Sequence, residues 1–394
     1  MRVLNGPGVA VDRQLLQEWL AQWSRFLGLS SQLVEADDRL VLLQELERAA
    51  TDQHAVLLNP GSLRGDPELA SRAREIEQPV VWVDVGDAKH HASAASSSDT
   101  IRVRGRGIEG YRWALRRLVQ HTTSPPTVIA YGDSADQVGD LRLPRGAGPH
   151  PVAILIHGGS WQEAWERDTI EPLAIDLTQR GYATWNIEYR RVGPSGGGWP
   201  NTCIDVASAL RKLPSLSSKH HLDLGRLIAI GHSAGGHLAL WAATQRGMEP
   251  DQRADVALSL VVSLAGIPDL IECERRGLGD GGNIAAAFMG SRYDDDPDAY
   301  RLASPAESVP LGVRQLLVQG TGDAWADLVD LNRLYARSAG AAGDSVELLE
   351  LDGATHFDVI DPTSDSWTVI LERIVALVPP DGVRGPVVAN VGTR

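Results

Sequence analysis

The run Gly231-His232-Ser233-Ala234-Gly235-Gly236-His237 constrains the fold of this chain more than any other segment. Residues 227–230 before it are apolar and predict a strand, and residues 238–243 after it predict an apolar helix. The small residues around Ser233 allow a turn that is too tight for larger ones. Such a turn places the serine hydroxyl at the end of a sheet, beside the positive N-terminus of the next helix. A glycine-rich turn before a helix is often only a turn. Whether Ser233 is catalytic must therefore be judged from other motifs in the chain.

A second glycine-rich turn, His157-Gly158-Gly159-Ser160-Trp161, lies upstream and follows a strand predicted at 152–156. Attack on a carbonyl needs backbone N–H groups directed at the oxygen that becomes negative, and glycines let the backbone come close to a substrate. The turn therefore predicts a site for such an oxygen. The alternative is a Gly-Gly turn that only closes a strand.

Two later loops carry an acid and a histidine. Asp323 ends the run Gly320-Thr321-Gly322-Asp323 after a strand predicted at 315–318, and His356 follows a strand predicted at 346–351. Asp327 is a competing acid, but its neighbours predict the start of a helix, where a first-turn or capping carboxylate is common. The order serine, aspartate, histidine along a strand–helix alternation is typical of one family of nucleophilic enzymes.

The chain resembles the esterase/lipase and kynurenine formamidase-like branch of the α/β-hydrolase superfamily over roughly residues 127–378. The resemblance rests on HGG-x-W and G-H-S-A-G-x-H-L, which stand at 157–161 and 231–238. It implies a mostly parallel sheet with an inserted lid, which we place at 271–309. By position, the implied catalytic residues are Ser233, Asp323 and His356, and the implied oxyanion-hole donors are the N–H groups of Gly159, Ser160 and Ala234.

Two tryptophans beside these turns, Trp161 and Trp199, are candidates for substrate-binding walls because indole offers a rigid apolar surface. Ordinary packing is the alternative for both. Asp205 begins a predicted helix, and in related hydrolases an acid there often pairs with an arginine like Arg190. We interpret that pair as structural.

The first 120 residues predict a separate unit. Short β-like runs alternate with helix-like runs, which indicates a small flavodoxin-like α/β domain. Residues 121–126, His-Thr-Thr-Ser-Pro-Pro, predict a linker because polar residues and paired prolines interrupt helix and strand. The hydrolase domain is then expected at 127–380, with a C-terminal tail at 381–394.

This first unit resembles type II dehydroquinase at residues 4–7, at Asn59-Pro60-Gly61 and at residues 107–111. It departs from that family where chemistry is needed. The early loop has no tyrosine, and Asp84 stands where the family has a histidine. We therefore expect a non-catalytic scaffold for assembly or for framing the neighbouring site. Because type II dehydroquinases are multimeric, the resemblance also implies a homo-oligomer.

Composition limits the partners and the compartment. The net charge of −14 argues against binding nucleic acid or an anionic membrane surface, and no apolar run is long enough to span a bilayer. The N-terminus has no secretory pattern. Cys203 and Cys273 have no disulfide or metal spacing, so a reduced, cytoplasmic setting is expected.

The sequence thus predicts a serine hydrolase that cleaves a carboxylic ester of a small molecule through an acyl-enzyme, without a metal or organic cofactor. Amide or arylformamide hydrolysis and acyl transfer use the same residues and stay open as alternatives. A non-catalytic scaffold that keeps the fold is a third possibility, and a bifunctional enzyme whose first unit still dehydrates is a fourth.

Overall fold

The computed structural model describes residues 1–26, 30–84, 101–104 and 108–380. The chain divides into two compact units. One comprises residues 1–126 together with 163–168, and the other comprises residues 127–162 together with those from 169 onward. The predicted C-terminal tail, 381–394, lies outside the described residues.

The N-terminal unit contains a five-stranded, all-parallel sheet in the order β2-β1-β3-β4-β5. Its strands are β1 (Arg2–Asn5), β2 (Gln32–Glu35), β3 (Val56–Asn59), β4 (Val80–Asp84) and β5 (Ile101–Arg104), and its helices are α1 (Arg13–Phe26), α2 (Arg39–Thr51), α3 (Pro67–Arg74) and α4 (Glu109–Thr123).

Helices cover both faces of this sheet, as a parallel sheet requires. Successive strand residues point to opposite faces, so Leu57 packs with residues of α1 and α4, whereas Leu58 packs with residues of α2 and α3. Helix α4 takes in the first three residues of the predicted linker. The Thr123 hydroxyl bonds back to the Val119 carbonyl at 2.8 Å, which satisfies a polar side chain inside the last turn.

The second unit contains an eight-stranded sheet in the order β13-β12-β11-β10-β8-β9-β7-β6. Its strands are β6 (Thr127–Ala130), β7 (Val138–Arg142), β8 (His150–Ile156), β9 (Ala183–Ile187), β10 (Leu222–His232), β11 (Leu260–Leu264), β12 (Gln315–Gly320) and β13 (Val346–Leu351). Strand β7 pairs antiparallel with β6 and β9, and the remaining pairs are parallel.

The helices of this unit connect the parallel strands. They are α5 (Glu171–Gln179), α6 (Asn201–His220), α7 (Ala234–Ala242), α8 (Leu270–Arg275), α9 (Ile284–Met289), α10 (Pro297–Ala303), α11 (Ala326–Ala341) and α12 (Asp365–Leu377). Helices α8, α9 and α10 lie between β11 and β12, in the segment expected to form a lid. Strand β10 runs from the surface into the buried core, which explains why its residues 227–230 are all apolar.

The direction of the strands gathers the candidate residues. Strands β8, β10, β12 and β13 run parallel to their neighbours, so their carboxyl ends lie at one edge of the sheet. His157 follows β8, Ser233 follows β10, Asp323 follows β12 and His356 follows β13. The fold therefore brings residues that are far apart in sequence to a single edge.

Candidate active site

The turn after β10 holds Ser233 in a strained conformation. Its φ is 54° and its ψ is −118°, a region that costs a residue other than glycine about 1–3 kcal/mol. A side chain at Gly231 would place Cβ 1.9 Å from the Gly235 carbonyl oxygen, and one at Gly235 would lie 2.0 Å from the Ile156 oxygen. The Ser233 N–H donates to the Leu264 carbonyl on β11 at 2.8 Å, which anchors the turn. The spacing of the glycines is therefore a steric requirement of this turn.

Asp323 and His356 form a hydrogen-bonded pair. His356 Nδ1 lies 2.7 Å from Asp323 Oδ2, and the Asp323 side chain is almost fully buried. The Trp325 N–H donates to Asp323 Oδ1 at 2.9 Å, and Gln319 Nε2 donates to Oδ2 at 3.2 Å. Burial pushes the pKa of Asp323 up, but the hydrogen bonds and the charge of His356 outweigh it and leave the pKa below its ordinary value. The carboxylate is thus ionised and orients the imidazole.

His232 joins the serine turn to the histidine loop. Its Nε2–H donates to the His356 carbonyl at 2.9 Å, and the two rings are 4.7 Å apart. Burial lowers the pKa of His232 to about 3, so the ring is neutral at physiological pH. Among the described residues, Ser233 Oγ has no hydrogen-bond partner. This agrees with a role in catalysis, because catalytic hydrogen bonds often shorten only when substrate is bound.

The loop after β8 presents unoccupied donors beside the serine. A Cβ at Gly158 would lie 3.0 Å from Ser233 Cβ, so this loop packs directly on the nucleophile turn. In the described part of the chain, no hydrogen bond uses the N–H groups of Gly159, Ser160 or Ala234. Gly159 has a φ of 105° and Ser160 a φ of 51°, and such left-handed backbone is strained for serine. These N–H groups are available to an oxyanion.

A buried charged network supports this loop from behind. His157 Nε2 lies 2.7 Å from Glu188 Oε1, and the Glu188 carboxylate also pairs with Arg191 at 3.3 Å. Arg191 extends the network to Asp136 at 2.9 Å. The Tyr189 hydroxyl donates to the His157 carbonyl at 2.8 Å, and the two rings stack at 4.2 Å. Because the buried charges are paired, they fix the loop without the cost of an isolated ion.

The two tryptophans proposed as substrate walls differ in exposure. Trp161 is fully buried, and its ring stacks on Phe288 of α9 at 4.5 Å and meets the edge of His237 at 5.3 Å. Trp199 is half-buried and packs against Trp241, with ring centroids 6.2 Å apart. In this conformation Trp161 has no accessible surface for a ligand, whereas Trp199 has some.

The competing acid and the second expected ion pair occupy other places. Asp327 lies in the first turn of α11, where its carboxylate is 3.5 Å from Arg276, and its side chain is 60% exposed. It does not contact His356, which pairs with Asp323. Arg190 binds Asp205 in a two-pronged pair at 2.7 and 2.9 Å, and Asp205 lies inside α6. Asp205 also accepts from the Arg190 backbone N–H at 2.9 Å, so the pair ties the chain after β9 to α6, which fits a structural role.

Sequence reasoning missed several residues that contact the candidate catalytic groups. They are Gln319 and Trp325 beside Asp323, His232 and Phe357 beside His356, and Glu188 beside His157 in the loop after β8. A signal exists for Glu188, because a charged residue directly after a buried parallel strand lies at the edge where ligands bind. The others carry no pattern that separates them from packing residues.

The described residues show neither a metal centre nor a membrane-spanning helix. Within 1–26, 30–84, 101–104 and 108–380, no group of three or more His, Cys, Asp and Glu side chains could hold a metal ion. Helices in the same ranges lack the length and apolarity that crossing a bilayer needs. Cys203 and Cys273 are both buried free thiols, and burial raises the pKa of Cys273 to about 12.

The sheet order, the serine turn and the Asp323–His356 pair define an α/β-hydrolase fold. The BD-FAE family model matches residues 140–335. Thermogutta terrifontis esterase 2, solved in a form phosphonylated by sarin, superposes with a TM-score of 0.54 and 18% identity, over 64% of this chain and 94% of that one.

Two curated relatives are similar in sequence. Esterase LipC of Mycobacterium tuberculosis is 27% identical over 263 residues, which is 62% of this chain and 64% of LipC. The non-reducing polyketide synthase ausA of Aspergillus calidoustus is 30% identical over 210 residues, 43% of this chain but 8% of the synthase. The chain thus spans less than two thirds of the length of either relative. The fold and these similarities together support an α/β-hydrolase related to esterases.

Proposed function

We propose that the chain is a serine hydrolase that cleaves carboxylic esters of small molecules. One observation carries this proposal. His356 is held by a buried carboxylate at 2.7 Å beside a strained serine turn, and the facing loop offers N–H groups that no described residue uses. The strained backbone at Ser233 lowers the stability of the fold and persists only because the surrounding structure imposes it. A non-catalytic scaffold gains nothing from that strain, or from N–H groups left without acceptors among the described residues.

The chemistry follows from the positions of the groups. His356 Nε2 accepts the proton of Ser233 as Oγ attacks the ester carbonyl, and Asp323 stabilises the imidazolium. The N–H groups of Gly159, Ser160 and Ala234 stabilise the tetrahedral oxyanion. The imidazolium protonates the leaving alcohol, and an acyl-enzyme on Ser233 remains. Water activated by His356 then releases the acid.

The proposal is tested by labelling and by turnover. An organophosphonate should add one equivalent to Ser233, as sarin does to the Thermogutta terrifontis esterase of the same fold. Ser233→Ala should lose the label and about 10⁶-fold in kcat, since the catalytic residues act as one unit. Asp327→Asn, at an exposed site away from His356, is the matched control. A Ser233→Ala variant that keeps a tenth of the activity would refute the assignment.

Acyl transfer is the second candidate, and the 30% identity over 210 residues to a non-reducing polyketide synthase favours it. The two reactions diverge only after the acyl-enzyme has formed. A panel of p-nitrophenyl esters, N-formyl aryl amines and aminoacyl anilides, run with and without added alcohols or thiols, separates hydrolysis from transfer and esters from amides. If an added alcohol or thiol speeds the release of p-nitrophenol and a new acylated product forms, the chain catalyses acyl transfer.

For the N-terminal unit we propose a non-catalytic, flavodoxin-like scaffold related to type II dehydroquinase. Asp84, at the end of β4, is an ion-pair partner of Arg64 and supplies no imidazole base. Asn59 donates to the Tyr111 hydroxyl at 2.8 Å, and that hydroxyl donates to Asn5 Oδ1, so the hydroxyl is held as both acceptor and donor within the unit. We expect no dehydroquinate dehydratase activity.

We also propose that this unit mediates self-association in a cytoplasmic protein. Sedimentation of the full chain against a chain starting near Thr127 tests the first part. Monomers in both samples would contradict it, and an oligomeric shorter chain would place the interface in the hydrolase unit.

A further inference from the structure

Two partly exposed aromatic side chains contact the imidazole of the proposed catalytic histidine, His356. The Trp325 ring lies 5.0 Å from the His356 ring, at an angle of 49°, and the Phe357 ring lies 5.5 Å away and perpendicular. His232 packs against the same imidazole from the buried side. Phe357 is 44% exposed, and Trp325 is half-buried. The rings thus border His356 and offer apolar surface to a ligand.

Reaction geometry decides which part of an ester reaches this surface. Asp323 occupies Nδ1 of His356, so only Nε2 can serve as the proton shuttle. Nε2 must protonate the leaving oxygen, and the alcohol portion of the ester therefore begins beside the imidazole. The carbonyl oxygen is instead expected toward the N–H groups of Gly159, Ser160 and Ala234. Rings that border His356 are placed for the alcohol portion of the substrate.

Resting on the proposed ester hydrolysis, we propose that Trp325 and Phe357 bind the alcohol portion of the ester and select alcohols that carry an aromatic ring. Aromatic rings prefer offset or edge-to-face contact, and such a pair contributes beyond the burial of apolar area. That surplus corresponds to about a 2- to 12-fold preference in kcat/KM over a saturated ring of the same size. The exposed parts of Phe357 and Trp325 are the surface that such a ring would contact.

The test compares benzyl acetate with cyclohexylmethyl acetate by pH-stat. The two esters share the acyl group, and their alcohols are primary and similar in basicity and size, so only the aromatic character differs. The unmodified chain should favour benzyl acetate by about 2- to 12-fold in kcat/KM. Phe357→Leu and Trp325→Leu should each reduce this ratio toward one. Leu334→Ala, at an exposed apolar residue on α11, is the matched control and should leave the ratio unchanged.

A second pair of esters assigns the preference to one side of the bond. Methyl phenylacetate and methyl cyclohexylacetate carry the rings on the acyl portion. We expect the Phe357→Leu and Trp325→Leu variants to leave the ratio for this pair unchanged. A variant that slows all four esters equally would show that the rings only hold His356 in place, and it would overturn the proposal. Because each variant is judged by a ratio, partial loss of folded protein does not affect the result.

The failures of the two proposals are distinguishable. If the chain hydrolyses neither acetate and Ser233 takes no organophosphonate label, the proposed function is wrong. If both acetates are hydrolysed at equal kcat/KM, ester hydrolysis stands and the aromatic selection is wrong. A benzyl preference that survives in both Phe357→Leu and Trp325→Leu assigns the selection to other residues and also overturns the proposal.

Discussion

Replacing Asp323 by asparagine tests the triad most sharply, because the three donors around this carboxylate are known. His356 Nδ1 and Gln319 Nε2 both face Oδ2, and the Trp325 N–H faces Oδ1. A carboxylate accepts on both sides, whereas an amide accepts only through its oxygen. In Asp323→Asn the amide NH₂ must therefore oppose a donor on one side.

Both orientations of that amide carry a cost. If NH₂ faces Trp325, a backbone N–H loses its acceptor, at about 1–3 kcal/mol. If NH₂ faces His356, the imidazole must place its proton on Nε2, and it can no longer accept the proton of Ser233. The second orientation also takes the Oδ2 acceptor from Gln319, but Gln319 Nε2 still donates to the Gly320 carbonyl at 3.1 Å. Because this orientation keeps the Trp325 bond and leaves no donor without an acceptor on the Gln319 side, it is favoured. We expect kcat to fall by about 10⁴-fold, as the same change does in a serine protease, which corresponds to about 5 kcal/mol of barrier.

The assay is the steady-state hydrolysis of a p-nitrophenyl ester at neutral pH, with circular dichroism to verify that both variants are folded. Asp327→Asn is the matched control, because Asp327 is exposed and bonds only weakly to Arg276 at 3.5 Å. We expect it to change kcat by less than about twofold, since exposed ion pairs contribute little. An Asp323→Asn variant within tenfold of the unmodified chain, or a large loss in Asp327→Asn, would show that the acid has been misplaced.

Three further perturbations follow from the structure. His232→Phe keeps the ring but removes the donor to His356, so kcat should fall by about tenfold with KM little changed; an unchanged kcat would contradict a positioning role. Burial lowers the pKa of His237 to about 4, below the value of about 6.5 in the unfolded chain, so the unfolded state binds the extra proton between these values. His237 alone should contribute a fall of about 1.4 kcal/mol per pH unit in the free energy of unfolding as the pH drops from 6.5 to 4. Urea titrations of His237→Gln should therefore show a shallower slope than the unmodified chain. Gly340 lies inside α11, and a Cβ there would make only ordinary contact at 3.6 Å, so Gly340→Ala should stabilise the fold by about 0.5–1 kcal/mol in the same titrations. Gly231→Ala would place Cβ 1.9 Å from a carbonyl oxygen and should lose activity and stability. Equal effects of the two substitutions would show that the serine turn has room for a side chain.

The amino-acid sequence by itself determined the serine turn and the succession of strand and helix on either side of it along the chain. Gly231 and Gly235 are required because any Cβ there collides with backbone, a constraint that is visible as a sequence pattern. The runs at 227–230 and 315–318 predicted strands, and both lie in buried stretches of the longer strands β10 and β12, where a parallel strand is covered on both faces. Asp323 was favoured over Asp327 for a local reason as well, since Asp327 lies in the first turn of a helix.

Only the tertiary structure decided which side chains surround those groups. Gln319 and Trp325 reach Asp323 because β12 and α11 meet at one edge, and Glu188 reaches His157 because β9 pairs with β8. These contacts depend on strand order and register, which leave no periodic trace in the chain. The complete burial of Trp161 is also decided by tertiary packing, because α9 covers its ring. The sequence pattern around Trp161 does not specify which distant helix packs on its side chain.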